Sequence, residues 1–153
     1  MVNSRSKGAR AELNVVQMLK ENLGDIVDCD SIKRNLDQYQ KKDCTDIILG
    51  NIFAVECKRY KSGNWYKEDW WLQAQVSAKL LNMIPVLIWR YDRQPFRVTL
   101  PIYAVNREFA LDYAAFFFGT TNDNLHDFPR EGNAIAPVTM DFDTAVMVMR
   151  EWL

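Results

Sequence analysis

The chain has 153 residues, is 48% hydrophobic and 25% charged, and carries a net charge of −1. These are the proportions of one ordinary globular domain, large enough to bury about 70% of its unfolded surface. No basic start runs into an apolar segment and no long uncharged stretch occurs, so neither a signal peptide nor a membrane span is expected and the location reads as cytoplasmic. Three cysteines without CxxC spacing and a single histidine, His126, argue against a structural zinc site or a histidine-dependent nuclease, and leave free thiols as the simplest reading.

In chain order, residues 4–23 predict a helix that Ser4 or Ser6 can cap and Gly24 can end, with Ala9, Val16, Leu19 and Leu23 as its core stripe. Glu12 falls on that stripe, and taken alone it reads as an acid at the stripe's edge reaching water. Short β-like runs follow at 25–29 and 31–35, then a polar loop over 36–44. Residues 45–60, "TDIILGNIFAVECKRY", hold two apolar runs around Gly50-Asn51, a strong hairpin signal. After a loop at 61–67, residues 68–82 predict an amphipathic helix with Trp71, Leu72, Val76, the stem of Lys79 and Leu80 toward the core. Strands are expected at 85–91 and 96–104, a helix at 106–118, a loop to about 133, an extended segment at 134–140, and a closing helix capped by Asp141. The order α-β-β-β-β-α-β-β-α-β-α indicates an α/β fold on a central mixed sheet flanked by helices.

Side chains alternate along a strand, so Phe53, Val55 and Cys57 share one face while Ala54, Glu56 and Lys58 share the other. Asp46 opens the preceding strand, and the turn decides where it points. A two-residue turn sets Asp46 opposite Val55, facing away; a loop of odd length sets it opposite Ala54 or Glu56, on the shared face. Gly50 supplies the positive φ of a three-residue loop, so the odd loop is expected. Two carboxylates beside a lysine suit phosphodiester chemistry with a divalent cation. Hard Mg²⁺ takes oxygen ligands, and the lysine can orient or deprotonate water or stabilise developing charge. By geometry alone, however, a structural salt bridge between Glu56 and Lys58 is the better reading of that pair.

"TD" at 45–46, the short hairpin, and "ECK" at 56–58 resemble the signature of the PD-(D/E)XK nuclease superfamily, an Asp, a hairpin, then Glu-X-Lys. "SRSKGARAELNVVQML" looks like the first helix of archaeal-type Holliday junction resolvases and related phage nucleases, and "WWLQAQVSAKLL" followed by "IPVLIWR" resembles their later helix and strand. The resemblance spans roughly residues 4–100. It implies a restriction-endonuclease-like fold in one domain over 1–153, with 1–104 as catalytic core and 105–153 as its C-terminal extension. It implies Glu12, Asp46 and Glu56 as ligands of Mg²⁺, for which Mn²⁺ could substitute, with Lys58 as the catalytic lysine. Gln73 is the expected site glutamine and Gln75 its runner-up. The pattern departs from the family in having Thr45 where a proline is usual, a nearby competing acid in Asp43, and a shorter helix after the signature.

The implied activity is a DNA endonuclease acting on Holliday junctions or other branched DNA, with a phage origin suggested by analogy and a homodimer expected because symmetric cutting of two strands needs two sites. Charge agrees with a DNA partner: residues 1–100 hold 16 Lys/Arg against 12 Asp/Glu, residues 101–153 hold 3 against 8. Arg5, Lys7, Arg10, Lys33, Arg34, Arg59 and Lys61 are the candidate DNA contacts. An end- or single-strand-directed nuclease and a non-catalytic DNA-binding module are the competing readings. Three of five tryptophans lie at 65–71, where they could stack on unpaired bases, meet a second subunit, or, as Trp71 suggests, fill the core.

Overall fold

The computed structural model describes residues 4–36, 43–106 and 136–153, with side chains from residue 6 onward. The expected helix at 106–118, the loop to 133 and His126 lie outside the described residues, as does the side chain of Arg5. Helix α1 (Ser4–Leu23) leads through a 3-10 turn (Cys29–Ser31) to β1 (Ile32–Arg34), β2 (Ile47–Leu49) and β3 (Phe53–Tyr60). Helix α2 (Glu68–Leu81), β4 (Ile84–Tyr91) and β5 (Arg97–Pro101) follow, then the short α3 (Ile102–Val105), β6 (Pro137–Asp141) and α4 (Phe142–Arg150). The six strands form one sheet in the order β1-β2-β3-β4-β5-β6. Only β3 and β4 run parallel, because α2 carries the chain back between them, the crossover that a parallel pair requires.

One sheet face buries Ile47, Leu49, Phe53, Val55, Ile88 and Val98 against Val15 and Leu19 of α1 and Ala145 and Met149 of α4. Arg150 fastens α4 to the end of α1, donating to the Asn22 carbonyl and pairing with Asp25. The other face carries Leu87, Trp89 and Tyr91 under Trp70, Trp71 and Ala74 of α2.

Several expectations need correction. Residues 25–29 form no strand; Asp28 instead caps the 3-10 turn, accepting from the Asp30 amide. The strand expected at 96–104 stops at Pro101, and Ile102–Val105 turn into a helix. On α1 the stripe is rotated: Ala11, Val15, Leu19 and Leu23 are the buried positions, with Ala9 and Val16 only partly covered. On α2, Leu72, Val76 and Leu80 are exposed, and the covered face is Trp70, Trp71, Ala74, Ser77 and Ala78. The physical reason is the surface below. Trp89 and Tyr91 already project large rings from the sheet, and the helix meets them with the rings of Trp70 and Trp71 and the small Ala74, Ser77 and Ala78, not with its leucines.

This assignment of faces is testable by urea denaturation. Leu80→Ala is expected to change stability by no more than about 0.5 kcal/mol, whereas Ala78→Leu should cost about 1–3 kcal/mol by overpacking.

Candidate active site

The hairpin register fixes the site. Ile47 pairs with Val55, Ile48 with Ala54 and Leu49 with Phe53, leaving Gly50, Asn51 and Ile52 as a three-residue loop. Gly50 and Asn51 take φ of 61° and 57°, the left-handed conformation that glycine and asparagine tolerate. Continuing that register by one residue sets Asp46 opposite Glu56, as the odd loop requires. Here the backbone ladder gives way to a side chain: the Asp46 amide donates to the Val55 carbonyl at 3.1 Å, but the Cys57 amide donates to Asp46 Oδ2 at 2.8 Å. Thr45 Oγ1 donates to the same Val55 carbonyl at 2.9 Å. Thr45 is thus a fully buried support for the turn of chain that presents Asp46. Its position before the acid was visible in the sequence; its role was not. Asp43 is exposed, with its backbone in the left-handed conformation.

Glu56 is buried, its side chain 1% exposed. Lys58 Nζ donates to its Oε1 at 2.8 Å and to Gln73 Oε1, from α2, at 3.0 Å. Gln75 turns back on its own helix toward the Trp71 carbonyl, so Gln73 is the glutamine that reaches this group. Glu56 Oε2 is buried with no hydrogen-bond partner, an arrangement that ordinarily costs about 1–3 kcal/mol or more for a charged group.

The electrostatics follow from this crowding. Burial, then the Glu56 charge, push the Asp46 carboxyl from 3.8 up to about 8. Burial likewise raises Glu56, with Lys58 opposing. Burial alone would pull the Lys58 ammonium down, but the charge and hydrogen bond of Glu56 outweigh it and hold the lysine protonated, above its ordinary value. Glu12 contributes a repulsive charge to both acids but is itself held by Arg34, whose Nη2 lies 2.6 Å and Nε 2.8 Å from Oε2. Among the described residues no three acidic, His or Cys side chains cluster closely enough to hold a metal. The fit to a divalent cation therefore rests on Asp46 and Glu56. Mg²⁺ commonly takes one or two carboxylates and completes its shell with water and phosphate, and an orphaned carboxylate oxygen beside a second, proton-retaining carboxyl is the donor set such an ion would satisfy.

Of the other candidates, Lys7, Arg10, Lys33 and Lys61 are exposed. Arg34 is engaged with Glu12, and Arg59 pairs with Asp92 at 2.8 Å. Tyr60, which strand alternation already places on the face of Glu56 and Lys58, was not singled out from the sequence.

Because the folded Asp46 binds its proton more tightly than the unfolded chain does, the stability present below pH 4 is withdrawn as pH rises through about 8. In EDTA, wild type should lose melting temperature across that range. Asp46→Asn, which cannot ionise, should lose less and melt higher than wild type at pH 8 by about 5 °C or more, as read by differential scanning fluorimetry.

No curated protein matches the chain. Among solved structures, a Holliday junction resolvase from the archaeal hyperthermophile Archaeoglobus fulgidus is similar over 62% of this chain and 76% of its own, at 18% identity and a TM-score of 0.43. A family model described as "Phage putative PDDEXK endonuclease" matches residues 3–150, which takes in the acid, the hairpin, the Glu-X-Lys strand and both flanking helices. With nearly the whole chain inside that match, the protein belongs to the phage PDDEXK endonuclease family.

Proposed function

We propose that this nuclease is a Mg²⁺-dependent DNA endonuclease directed at Holliday junctions or other branched DNA in the cytoplasm of the host cell, with Mn²⁺ able to replace Mg²⁺. The observation that carries the metal-dependent reading is the buried, unpartnered Oε2 of Glu56 beside Asp46 and Lys58. A binding module has no use for two buried acids facing a phosphate.

Asp46 and Glu56 would hold the cation, with Glu12 as a third acid once released from Arg34. When bound, a divalent cation supplies positive charge against the phosphate and a water of lowered pKa. Lys58, kept protonated by Glu56, serves as a hydrogen-bond donor to the phosphate or to the attacking water, and stabilises charge as it develops. Gln73 fixes the direction of that ammonium by accepting one of its hydrogen bonds. Arg5, Lys7, Arg10, Lys33 and Lys61 would follow the DNA backbone without reading sequence, and Arg34 and Arg59 would join them on leaving their carboxylates.

The branched-DNA preference rests on the sequence resemblance of residues 4–100. A homodimer is supported by the exposed stripe Leu72, Val76 and Leu80 on α2, one helical face at spacings of four that a second copy would cover.

A panel of junction, flap, nicked, duplex and single-stranded DNA tests the activity. Wild type should cut with Mg²⁺, and Asp46→Asn and Lys58→Ala should each cut at least about 100-fold more slowly while still binding. If wild type cuts none of these with Mg²⁺ or Mn²⁺, a non-catalytic DNA-binding role replaces the proposal; cutting confined to ends or single strands replaces the junction reading. Light scattering tests the assembly. Wild type should run at twice the chain mass, and Val76→Glu should run as a monomer with unchanged circular dichroism.

A further inference from the structure

The face of β3 that carries Glu56 and Lys58 continues one more step, to Tyr60, about 7 Å farther along the strand. Tyr60 is 45% exposed. Its ring stacks on Trp70 of α2, with centroids 4.7 Å apart and planes 20° from parallel. Lys67 Nζ stands 5.2 Å from the Tyr60 centroid and 5.8 Å from that of Trp70. Behind this pair the rings continue inward through Tyr91 and Trp89, both buried. An exposed aromatic ring is thus backed by a rigid aromatic wall, directly beyond the lysine of the candidate active site.

The loop that brings Lys67 to this place is held by its carbonyls. Tyr91 Oη donates to the Trp65 carbonyl at 2.6 Å, Gln94 Nε2 to that of Gly63 at 3.1 Å, and Arg97 Nη1 to that of Asn64 at 3.2 Å. A Cβ on Gly63 would stand 2.2 Å from the Tyr91 ring, so the loop lies flat against the wall and only glycine permits it. A segment fixed this way has little conformational entropy left to lose on binding.

We infer that Tyr60, supported by Trp70, is a stacking site for one unpaired nucleobase of the strand being cut, with Lys67 against an adjacent phosphate. The inference rests on the nuclease reading above and specifies its substrate. Every base offers a π face, so such a site tolerates any sequence. A base inside continuous duplex has both faces covered by its neighbours and cannot use it. The ring therefore favours DNA with an unpaired nucleotide beside the scissile phosphate, as at a branch point, a flap or a single strand. The cationic side chain at the ring matches a polyanion, not an apolar partner surface.

The test uses the full chain carrying Asp46→Asn, in Mg²⁺, so that DNA is bound without being cut. Fluorescence anisotropy measures affinity for a single strand of about 12 nucleotides, within the span one such groove occupies, and for the blunt duplex of the same length. Adding Tyr60→Leu, which keeps an apolar cover over Trp70, should weaken the single strand about tenfold or more and the duplex less than twofold. Adding Tyr60→Trp should retain single-strand affinity. Equal losses on both DNAs, or no loss on the single strand, overturn the stacking site while leaving the nuclease reading standing. Failure of the Asp46→Asn protein to bind either DNA overturns both. A change in mass by light scattering on Tyr60→Leu, without the DNA effect, assigns the ring to a subunit contact instead.

Discussion

The carboxylate of Glu56 sits where a protein interior least tolerates one, and the neighbouring structure is arranged around it. One oxygen is neutralised by Lys58, and the other has no donor besides the proton that Asp46 retains. That single residue adds to the burial that raises its neighbour Asp46, keeps Lys58 charged, and through Lys58 engages Gln73 on the crossover helix. A buried ion pair with good geometry does little better than break even against its desolvation, and one with an unsatisfied oxygen does worse. The arrangement is therefore poor as a stabilising device, a deficit that the proposed cation would remedy. The Glu56–Lys58 pair is a salt bridge in geometry, and its deficit is the ground for proposing a cation there.

The core of the site was legible because strand alternation is strict. Glu56 and Lys58 had to share a face, and Gly50 made the odd loop the better expectation; the register of Ile47 with Val55 then settles where Asp46 points. The helices were harder to read. On α2 two apolar stripes compete, 70/71/74/78 and 72/76/80, and periodicity cannot choose between them. The choice falls to the sheet, whose Leu87, Trp89 and Tyr91 take the face of Trp70, Trp71 and Ala74. The same limitation hid Arg34. Nothing in "SIKRN" says that its guanidinium will reach across to Glu12, since that contact joins residues 22 apart in sequence. Long-range ion pairs of this kind have no local signature.

The two faces of the sheet also divide the molecule's physical roles. The α1 and α4 side is mainly aliphatic, with Phe53, Phe96, Tyr103 and Phe142 among its buried residues, and is tied at the Arg150–Asp25 corner. The α2 side mixes aromatic rings with charged and polar groups, and it is here that Glu56, Lys58 and Tyr60 lie in a row along β3. Stability is concentrated on one face, which leaves the other free to carry groups that stability alone would not choose.

The edge of the sheet holds one more consequence. The Ile102 amide donates to the Ala136 carbonyl at 2.9 Å, and β5 pairs with β6 over five registered positions, from Arg97 with Asp141 to Pro101 with Pro137. The fold is thus sewn shut at the two points from which residues 107–135 depart and to which they return. Opening that edge therefore means breaking the β5–β6 ladder itself, since the two strands are joined right up to Pro101 and Pro137 and once more beyond them at Ile102.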